Sequence, residues 1–152
     1  MSLGKPPRLE QVFQKYDPPV YFVTLCTHNR RTVLANAAVH SAVLEYGQRG
    51  LERGFALSRY VIMPDHIHLF VTGIHDFDLG IWLRGLKRVV AAAVTGGRSG
   101  IWQRGFFDHL IRNSESYSEK WDYVHQNPVR AGLVPCADEW PYQGEIVAID
   151  RS

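Results

Sequence analysis

The stretch that most constrains the fold of this chain is residues 60–73, which read YVIMPDHIHLFVTG. Successive side chains of a β-strand point to opposite faces, so His66 and His68 would share one face while the hydrophobic residues between and after them face the core. The proline and aspartate just before the pair are typical of a turn. The stretch therefore predicts a β-hairpin whose second strand displays two neighbouring imidazoles.

A histidine pair of this kind has two interpretations. Strand histidines often serve as half-exposed, hydrogen-bonded residues with no chemical task, whereas two imidazoles on one face can also bind a divalent metal or take part in catalysis. Residues 60–73 alone leave both interpretations open.

Hydrophobic periodicity predicts the other elements of the fold. Aromatic and β-branched residues predict a strand over residues 20–27, and apolar residues at helical spacing predict helices over residues 37–53 and 78–94. Alternation predicts a further strand over residues 101–112, and Ser114 before an acidic turn predicts the N-cap of a last helix.

The order of these elements indicates the fold class. Strand, helix, strand, strand, helix, strand is the ferredoxin-like βαββαβ arrangement, an α+β fold with an antiparallel four-stranded sheet and helices on one face. A C-terminal helix carrying Tyr123 would follow it. Because the first and third strands are central in this topology, we expect the histidine pair to lie in the middle of the sheet.

Length and composition bound the domain organisation. At 152 residues the chain can form one domain with a sizeable core. We predict a flexible N-terminal arm over residues 1–19, a catalytic domain over residues 20–145 and a short tail over residues 146–152. The net charge of +2 permits binding to nucleic acid without requiring it.

Other features of the chain indicate its location. No apolar run approaches the roughly 20 residues of a membrane span, and the N-terminal residues lack the apolar segment of a secretory signal. Cys26 and Cys136 are far apart and match no metal-binding spacing. We therefore expect a reduced, cytoplasmic protein with no membrane partner.

The predicted last helix carries two further candidate site residues. Tyr123 and Asn127 are four residues apart and would lie on one face of a helix. Pro128 follows directly, so Asn127 is expected in the terminal turn with its amide free to reach outward. A packing tyrosine and a turn-forming asparagine are the structural alternatives, and these residues alone do not decide between them.

Basic residues come from several separate segments of the chain. If they converge around the histidine face they would follow a DNA backbone, with Trp82 or Trp102 available to stack on an unpaired base; otherwise they form a solvated surface. The predicted nucleic-acid-binding residues are Arg30, Arg31, Lys87, Arg88, Arg98, Arg104 and Arg112.

Three separated motifs make the sequence similar to a known family. HIH after MPD, then WQRGFFDHLIRN, then DYVHQNPVRAGLV resemble the REP-associated tyrosine transposases, a branch of the HUH single-strand transposases and nucleases. The resemblance covers residues 20–142. It implies that His66 and His68 bind a divalent metal, Mg or Mn, that Tyr123 is the catalytic nucleophile, and that Asn127 completes the metal site.

The functional hypothesis is a metal-dependent DNA strand transferase. It would cleave and rejoin single-stranded or hairpin DNA through a covalent phosphotyrosine intermediate, in which Tyr123 attacks phosphorus while a cation neutralises the phosphate oxygens. Excision of a DNA segment needs two cuts, and each chain has one nucleophilic tyrosine for one cut. A homodimer would supply the second tyrosine.

Two alternatives remain at this point. One is a non-catalytic nucleic-acid-binding module that uses the sheet as a platform and holds no metal at His66 and His68. The other is a metallophosphodiesterase in which water attacks the phosphate and Tyr123 is structural.

Overall fold

The chain folds into one antiparallel sheet with helices packed on both of its faces. The computed structural model describes residues 19–74, 77–95 and 100–149. Within them the strands are Val20–Cys26 (β1), Phe55–Ile62 (β2), His66–Gly73 (β3), Phe107–Ile111 (β4) and Gln143–Glu145 (β5). The helices are Ala37–Gly50 (α1), Leu79–Thr95 (α2), Ser114–His125 (α3) and Asn127–Arg130 (α4).

The strand order is β4-β1-β3-β2-β5, and every pair is antiparallel. The predicted α+β architecture is confirmed, with the four expected strands, β1 and β3 in the interior of the sheet, and a further helix carrying Tyr123. The short strand β5 was not predicted, and it pairs with the outer edge of β2, where Glu145 lies opposite Arg59. Its sequence, QGE, lacks the hydrophobic alternation that would reveal a strand.

The two faces of β3 have different neighbours. Ile67, Leu69 and Val71 are fully buried in the main core, together with residues of α1 and α2. On the opposite face, the ring of Phe70 contacts those of Tyr117 and Trp121 in α3, at centroid distances of 4.7 and 6.2 Å. Full burial of one large aliphatic side chain contributes about 1.5–3 kcal/mol, so the main core fixes which face of β3 carries the histidines.

Two predicted boundaries are wrong. The strand predicted over residues 101–112 is regular only from Phe107, because the preceding segment is irregular, with Gly105 at φ 76°. Asn113, and not Ser114, caps α3: its backbone is extended and its side chain accepts a hydrogen bond from the Ser116 N–H at 2.8 Å. Both residue types cap helices well, so composition alone did not separate them.

The helix predicted over residues 37–53 divides into two parts. The α-helix α1 ends at Gly50, and a 3-10 turn continues it over Leu51–Arg53. Gly54 then adopts a φ of 83°, a left-handed conformation that glycine tolerates and that ends the helical path.

The division into arm, domain and tail remains a prediction, since residues 1–18 lie outside the described part of the chain. Two residues of the predicted tail, however, are part of the core. Ile146 and Val147 are buried, and their N–H groups donate to the carbonyls of Ser58 and Leu57. The packed structure therefore extends beyond residue 145. None of the described helices is long and apolar enough to span a bilayer.

The packing of α1 against α2 depends on a close approach at Gly85. The hydroxyl of Tyr46 in α1 donates to the carbonyl of Trp82 in α2 at 2.7 Å. A Cβ atom built on Gly85 would collide with the same Tyr46 hydroxyl. The ring of Tyr46 could make room only by giving up its hydrogen bond.

We predict that Gly85→Ala lowers the free energy of unfolding by about 1–3 kcal/mol, because overpacking outweighs the better helix propensity of alanine. Urea denaturation followed by circular dichroism measures the change. Gly80→Ala in the same helix is the matched control, since its Cβ would meet only Asp78 Oδ1 at 3.4 Å. Equal destabilisation by both substitutions would contradict the proposed collision.

Candidate active site

The two predicted histidines lie side by side on the face of β3 that α3 covers in part. Their ring centroids are 4.6 Å apart and the rings meet edge to face. Pairing with β1 places Cys26 opposite His66 and Thr24 opposite His68. Because cross-strand partners point to the same face, β1 supplies the nearest side chains around the imidazoles.

His66 is held by the residue before it. Its Nδ1 lies 2.7 Å from Asp65 Oδ1, and its side chain is 14% exposed. An imidazole that donates its Nδ1 proton to a carboxylate keeps a lone pair on Nε2, and the carboxylate fixes the ring orientation. Asp65 was interpreted only as a turn residue, so this role was missed.

His68 is held from β1 and is half-buried. Its Nδ1 lies 3.0 Å from Thr24 Oγ1, and the ring stacks on Phe22 with centroids 5.2 Å apart. Burial lowers the pKa of His68 to about 3, with smaller contributions from His66, Lys120 and Arg130. The imidazole is therefore neutral at physiological pH, as a nitrogen ligand must be.

Asn127 reaches the histidine pair from the other side. Its Nδ2 lies 3.2 Å from His66 Nε2, the nitrogen that does not face Asp65. The chain leaves the α3 helix at Gln126, and Pro128 explains the break, because it has no N–H to donate to Val124 and its ring crowds that carbonyl. The amide group thus comes from the first residue of α4, at the helix end that the sequence predicted.

Tyr123 lies on α3, four residues before Asn127, and its side chain is 65% exposed. The guanidinium carbon of Arg130 is 3.8 Å from the centroid of its ring. The structure thus brings His66, His68 and Asn127 into one cluster, and places Tyr123 on the helical segment that leads to Asn127.

Positive charge surrounds the histidine pair. The Lys120 ammonium lies 5.2 Å from the ring centroid of Phe22, which itself stacks on His68. Lys120 and Arg130 both disfavour a proton on His68. Such a cationic rim attracts an anionic substrate group such as a phosphate.

Among the predicted DNA-binding residues, Arg30 forms an ion pair with Asp65, which holds His66. Its Nε lies 2.9 Å from Asp65 Oδ2, so the two carboxylate oxygens of Asp65 contact Arg30 and His66 respectively. Arg30 and the preceding Asn29 adopt left-handed backbone conformations, with φ of 55° and 56°. Asparagine tolerates this conformation, but for a residue such as arginine it costs about 1–3 kcal/mol, and strained residues of this kind cluster at functional sites.

The other predicted DNA-binding residues occupy different environments. Lys87 is half-buried, and its ammonium donates to the carbonyls of Gln103 and Gly105 at 3.1 and 2.8 Å, so it ties α2 to the irregular segment before β4. Arg98 lies outside the described residues. The exposed remainder are Arg31, Arg88, Arg104 and Arg112. A DNA-contacting role for each of these residues stays a prediction.

Of the two tryptophans considered for base stacking, Trp82 is ruled out by burial. Its side chain is 3% exposed and belongs to the main core. Trp102 is half-buried, and its indole N–H donates to the carbonyl of Lys87 at 2.9 Å.

The donor set is compatible with a divalent metal. Two imidazole nitrogens and one side-chain amide converge, and an amide can present its oxygen as a ligand. Among the described residues, no group of three or more His, Cys, Asp or Glu side chains is arranged to bind a metal. The candidate set here differs, because its third member is the amide of Asn127. A cation bound to His66, His68 and Asn127 would keep coordination positions open for substrate and water, as a catalytic site requires.

Comparison with known proteins places this architecture in a family. The family described as "Transposase IS200 like" matches residues 19–127. The REP-associated tyrosine transposase of Escherichia coli K12 is 31% identical over 128 residues, which cover 80% of this chain and 73% of that protein. A Haemophilus influenzae relative is 29% identical over 136 residues, covering 81% of this chain and 77% of that protein.

Solved structures agree with the sequence relatives. A REP-associated tyrosine transposase bound to a REP hairpin superposes with a TM-score of 0.71 and 27% identity, over 94% of this chain and 82% of that one. A Deinococcus radiodurans protein, at 16% identity and a TM-score of 0.52 over 72% of this chain and 90% of that one, shares the fold. The chain therefore belongs to the IS200-like transposases and is a tyrosine transposase of the HUH type, in the REP-associated branch that the three sequence motifs indicated.

Proposed function

We propose that this protein is a metal-dependent DNA strand transferase that cleaves and rejoins single-stranded or hairpin DNA through a phosphotyrosine at Tyr123. The observation that carries the proposal is the cluster of His66, His68 and Asn127 at the end of the helical segment that bears Tyr123. Strand transfer needs a nucleophile next to a group that neutralises phosphate charge; Tyr123 would be the nucleophile, and a cation at the cluster would neutralise the charge.

The phenol oxygen of Tyr123 would attack the scissile phosphorus. One P–O bond forms to the tyrosine as the P–O bond to the leaving DNA oxygen breaks. In the net reaction the phenol loses its proton and the leaving oxygen gains one, so the DNA end departs as a hydroxyl. The resulting phosphotyrosine ester keeps the bond energy, so a hydroxyl of another DNA end can attack it and release the tyrosine.

The residues around the phosphate have separate tasks. His66 and His68 would hold the cation through their Nε2 atoms, because the Nδ1 atoms contact Asp65 and Thr24, which keep the two rings in place. When bound, the cation supplies charge neutralisation on the non-bridging oxygens. Lys120 and Arg130 provide positive charge around the site, which attracts the DNA backbone.

We propose Mg or Mn as the cation. Imidazole nitrogen alone would suit zinc, nickel or copper. If the Asn127 amide turned its oxygen to the cation, that oxygen would complete the site together with water and phosphate oxygens, and these hard ligands would favour Mg or Mn.

The DNA partner is proposed by analogy. The structural neighbour was solved on a REP hairpin, and we infer that this chain also binds a hairpin or a single strand. A homodimer, which would bring the second tyrosine needed for excision, and a cytoplasmic location both remain predictions.

We predict that Tyr123→Phe abolishes the covalent protein–DNA adduct, because the ring remains but the attacking oxygen is gone. Binding of the same oligonucleotide should change less than about twofold, since one exposed hydroxyl contributes little to a contact dominated by phosphate charge. The measurement combines denaturing electrophoresis of a labelled hairpin, incubated with Mn, with fluorescence anisotropy for binding.

Tyr21→Phe is the control for this experiment, because it removes a hydroxyl from a tyrosine on β1 whose ring contacts Phe77. It should form the adduct at the wild-type rate. An adduct that survives Tyr123→Phe would refute the nucleophile, and cleavage without any adduct would favour the metallophosphodiesterase alternative, in which water attacks.

We predict that Asp65→Asn weakens Mn binding about ten- to a hundredfold, since the carboxylate that orients a metal-binding histidine tunes its affinity. Titration of the DNA-free protein, followed by electron paramagnetic resonance of free Mn, measures the affinity. The unfolding midpoint of each variant shows whether the fold is kept.

Asp138→Asn is the matched control. Asp138 Oδ1 also contacts a histidine, His125, at 3.2 Å, but that pair is separate from the His66 cluster. Asp138→Asn should leave Mn affinity unchanged, and His68→Ala should abolish specific binding. Equal Mn affinity for wild type, Asp65→Asn and His68→Ala would show that no metal binds at this site.

A further inference from the structure

Arg130 makes a direct contact with the proposed nucleophile. Its guanidinium carbon lies 3.8 Å from the centre of the Tyr123 ring, which places the cation on the face of the phenol. Both side chains are exposed. A cation at this distance is attracted by the negative face of the ring, and an arginine can also stack flat on it.

The contact between Arg130 and Tyr123 spans the break between α3 and α4. Tyr123 precedes the break at Gln126 and Arg130 ends the short helix that follows it. Long helical side chains lean towards the N-terminus of their helix, so Arg130 points back over the preceding turn. The same short helix begins with Asn127, whose amide contacts His66. One four-residue element therefore touches the nucleophile at its end and the histidine pair at its start.

An exposed tyrosine without such a neighbour would be free to sample several rotamers. In-line attack requires the phenol oxygen to stay within a narrow range of distance and angle from phosphorus, and misplacement reduces the rate steeply. A stacked guanidinium limits the ring to fewer orientations before DNA arrives, which lowers the entropic cost of reaching the reactive geometry.

We propose that Arg130 is a positioning residue for Tyr123 that orients the phenol ring relative to the His66 and His68 pair. The inference rests on the proposed function, in which Tyr123 is the nucleophile. The competing role for an exposed arginine at this place is a contact with DNA phosphate, and that role requires no interaction with Tyr123 in the DNA-free protein.

The test uses Arg130→Met and Arg130→Lys in the full chain. Methionine keeps an unbranched side chain but removes the cation, whereas lysine keeps the charge without the planar guanidinium. Arg53→Met, at the opposite end of the sheet from the β2–β3 hairpin, is the matched control for the loss of one exposed positive charge.

The first readout is the ring signal of Tyr123 in the DNA-free protein. Carbon-13 labelling of the tyrosine rings gives resolved signals, and Tyr123→Phe identifies the one from residue 123. We expect Arg130→Met to move this signal towards the position of a solvent-exposed tyrosine, Arg130→Lys to move it part of the way, and Arg53→Met to leave it unchanged.

The second readout is the single-turnover rate of adduct formation at saturating hairpin DNA. We expect Arg130→Met to reduce this rate about three- to tenfold, with partial recovery in Arg130→Lys. Arg53→Met should react at the wild-type rate. Saturating DNA removes any loss of affinity from the comparison, so the rate reports on the bound complex.

The outcomes separate this proposal from the proposed function. An unchanged ring signal or an unchanged rate in Arg130→Met would overturn the positioning role, and a defect in DNA affinity alone would assign Arg130 to phosphate binding. If the wild-type protein forms no adduct while the ring signal still responds to Arg130, the nucleophile is wrong and the contact is structural.

Discussion

The antiparallel pairing of β1 with β3 is the constraint on which the site depends. In the observed register Thr24 lies opposite His68, and Val23 and Leu25 join Leu69 and Ile67 in the main core. A slip of β3 by one residue would turn both imidazoles into that apolar core and expose its aliphatic side chains. The free energy of core burial therefore also holds the histidines on the face where they meet α3 and α4.

The second constraint is the interruption of the last helix before Pro128. At Gln126 the helix α3 ends, and the short helix α4 begins at Asn127. Asn127 and Arg130 use that element to contact His66 and Tyr123. A local backbone rule, the missing N–H of proline, thus helps to arrange one long-range contact, Asn127 with His66, and one local contact, Arg130 with Tyr123.

Electrostatics explains why the site suits a phosphate and a cation together. His68 is neutral because burial lowers its pKa, so it can offer a lone pair although Lys120 and Arg130 lie near it. Both cations also contribute positive potential to the place where a phosphodiester would bind. The number of basic residues does not tell how many of them are free to bind DNA. The Lys87 ammonium, for example, donates hydrogen bonds to two backbone carbonyls, and no sequence pattern reveals this contact.

Sequence patterns predict the order of the first four strands and the helices between them, the shared face of His66 and His68, and the position of Asn127 at a helix end, and the three motifs indicate the family. These features follow from periodicity, turn chemistry and motif order, which are local properties of the chain. Four features became visible in the folded structure alone: Asp65 and Thr24 hold the imidazoles, Arg130 lies over the ring of Tyr123, Trp82 is buried, and β5 extends the sheet. Those contacts join residues far apart in sequence or depend on side-chain direction, and both are set by how strands and helices pack in three dimensions.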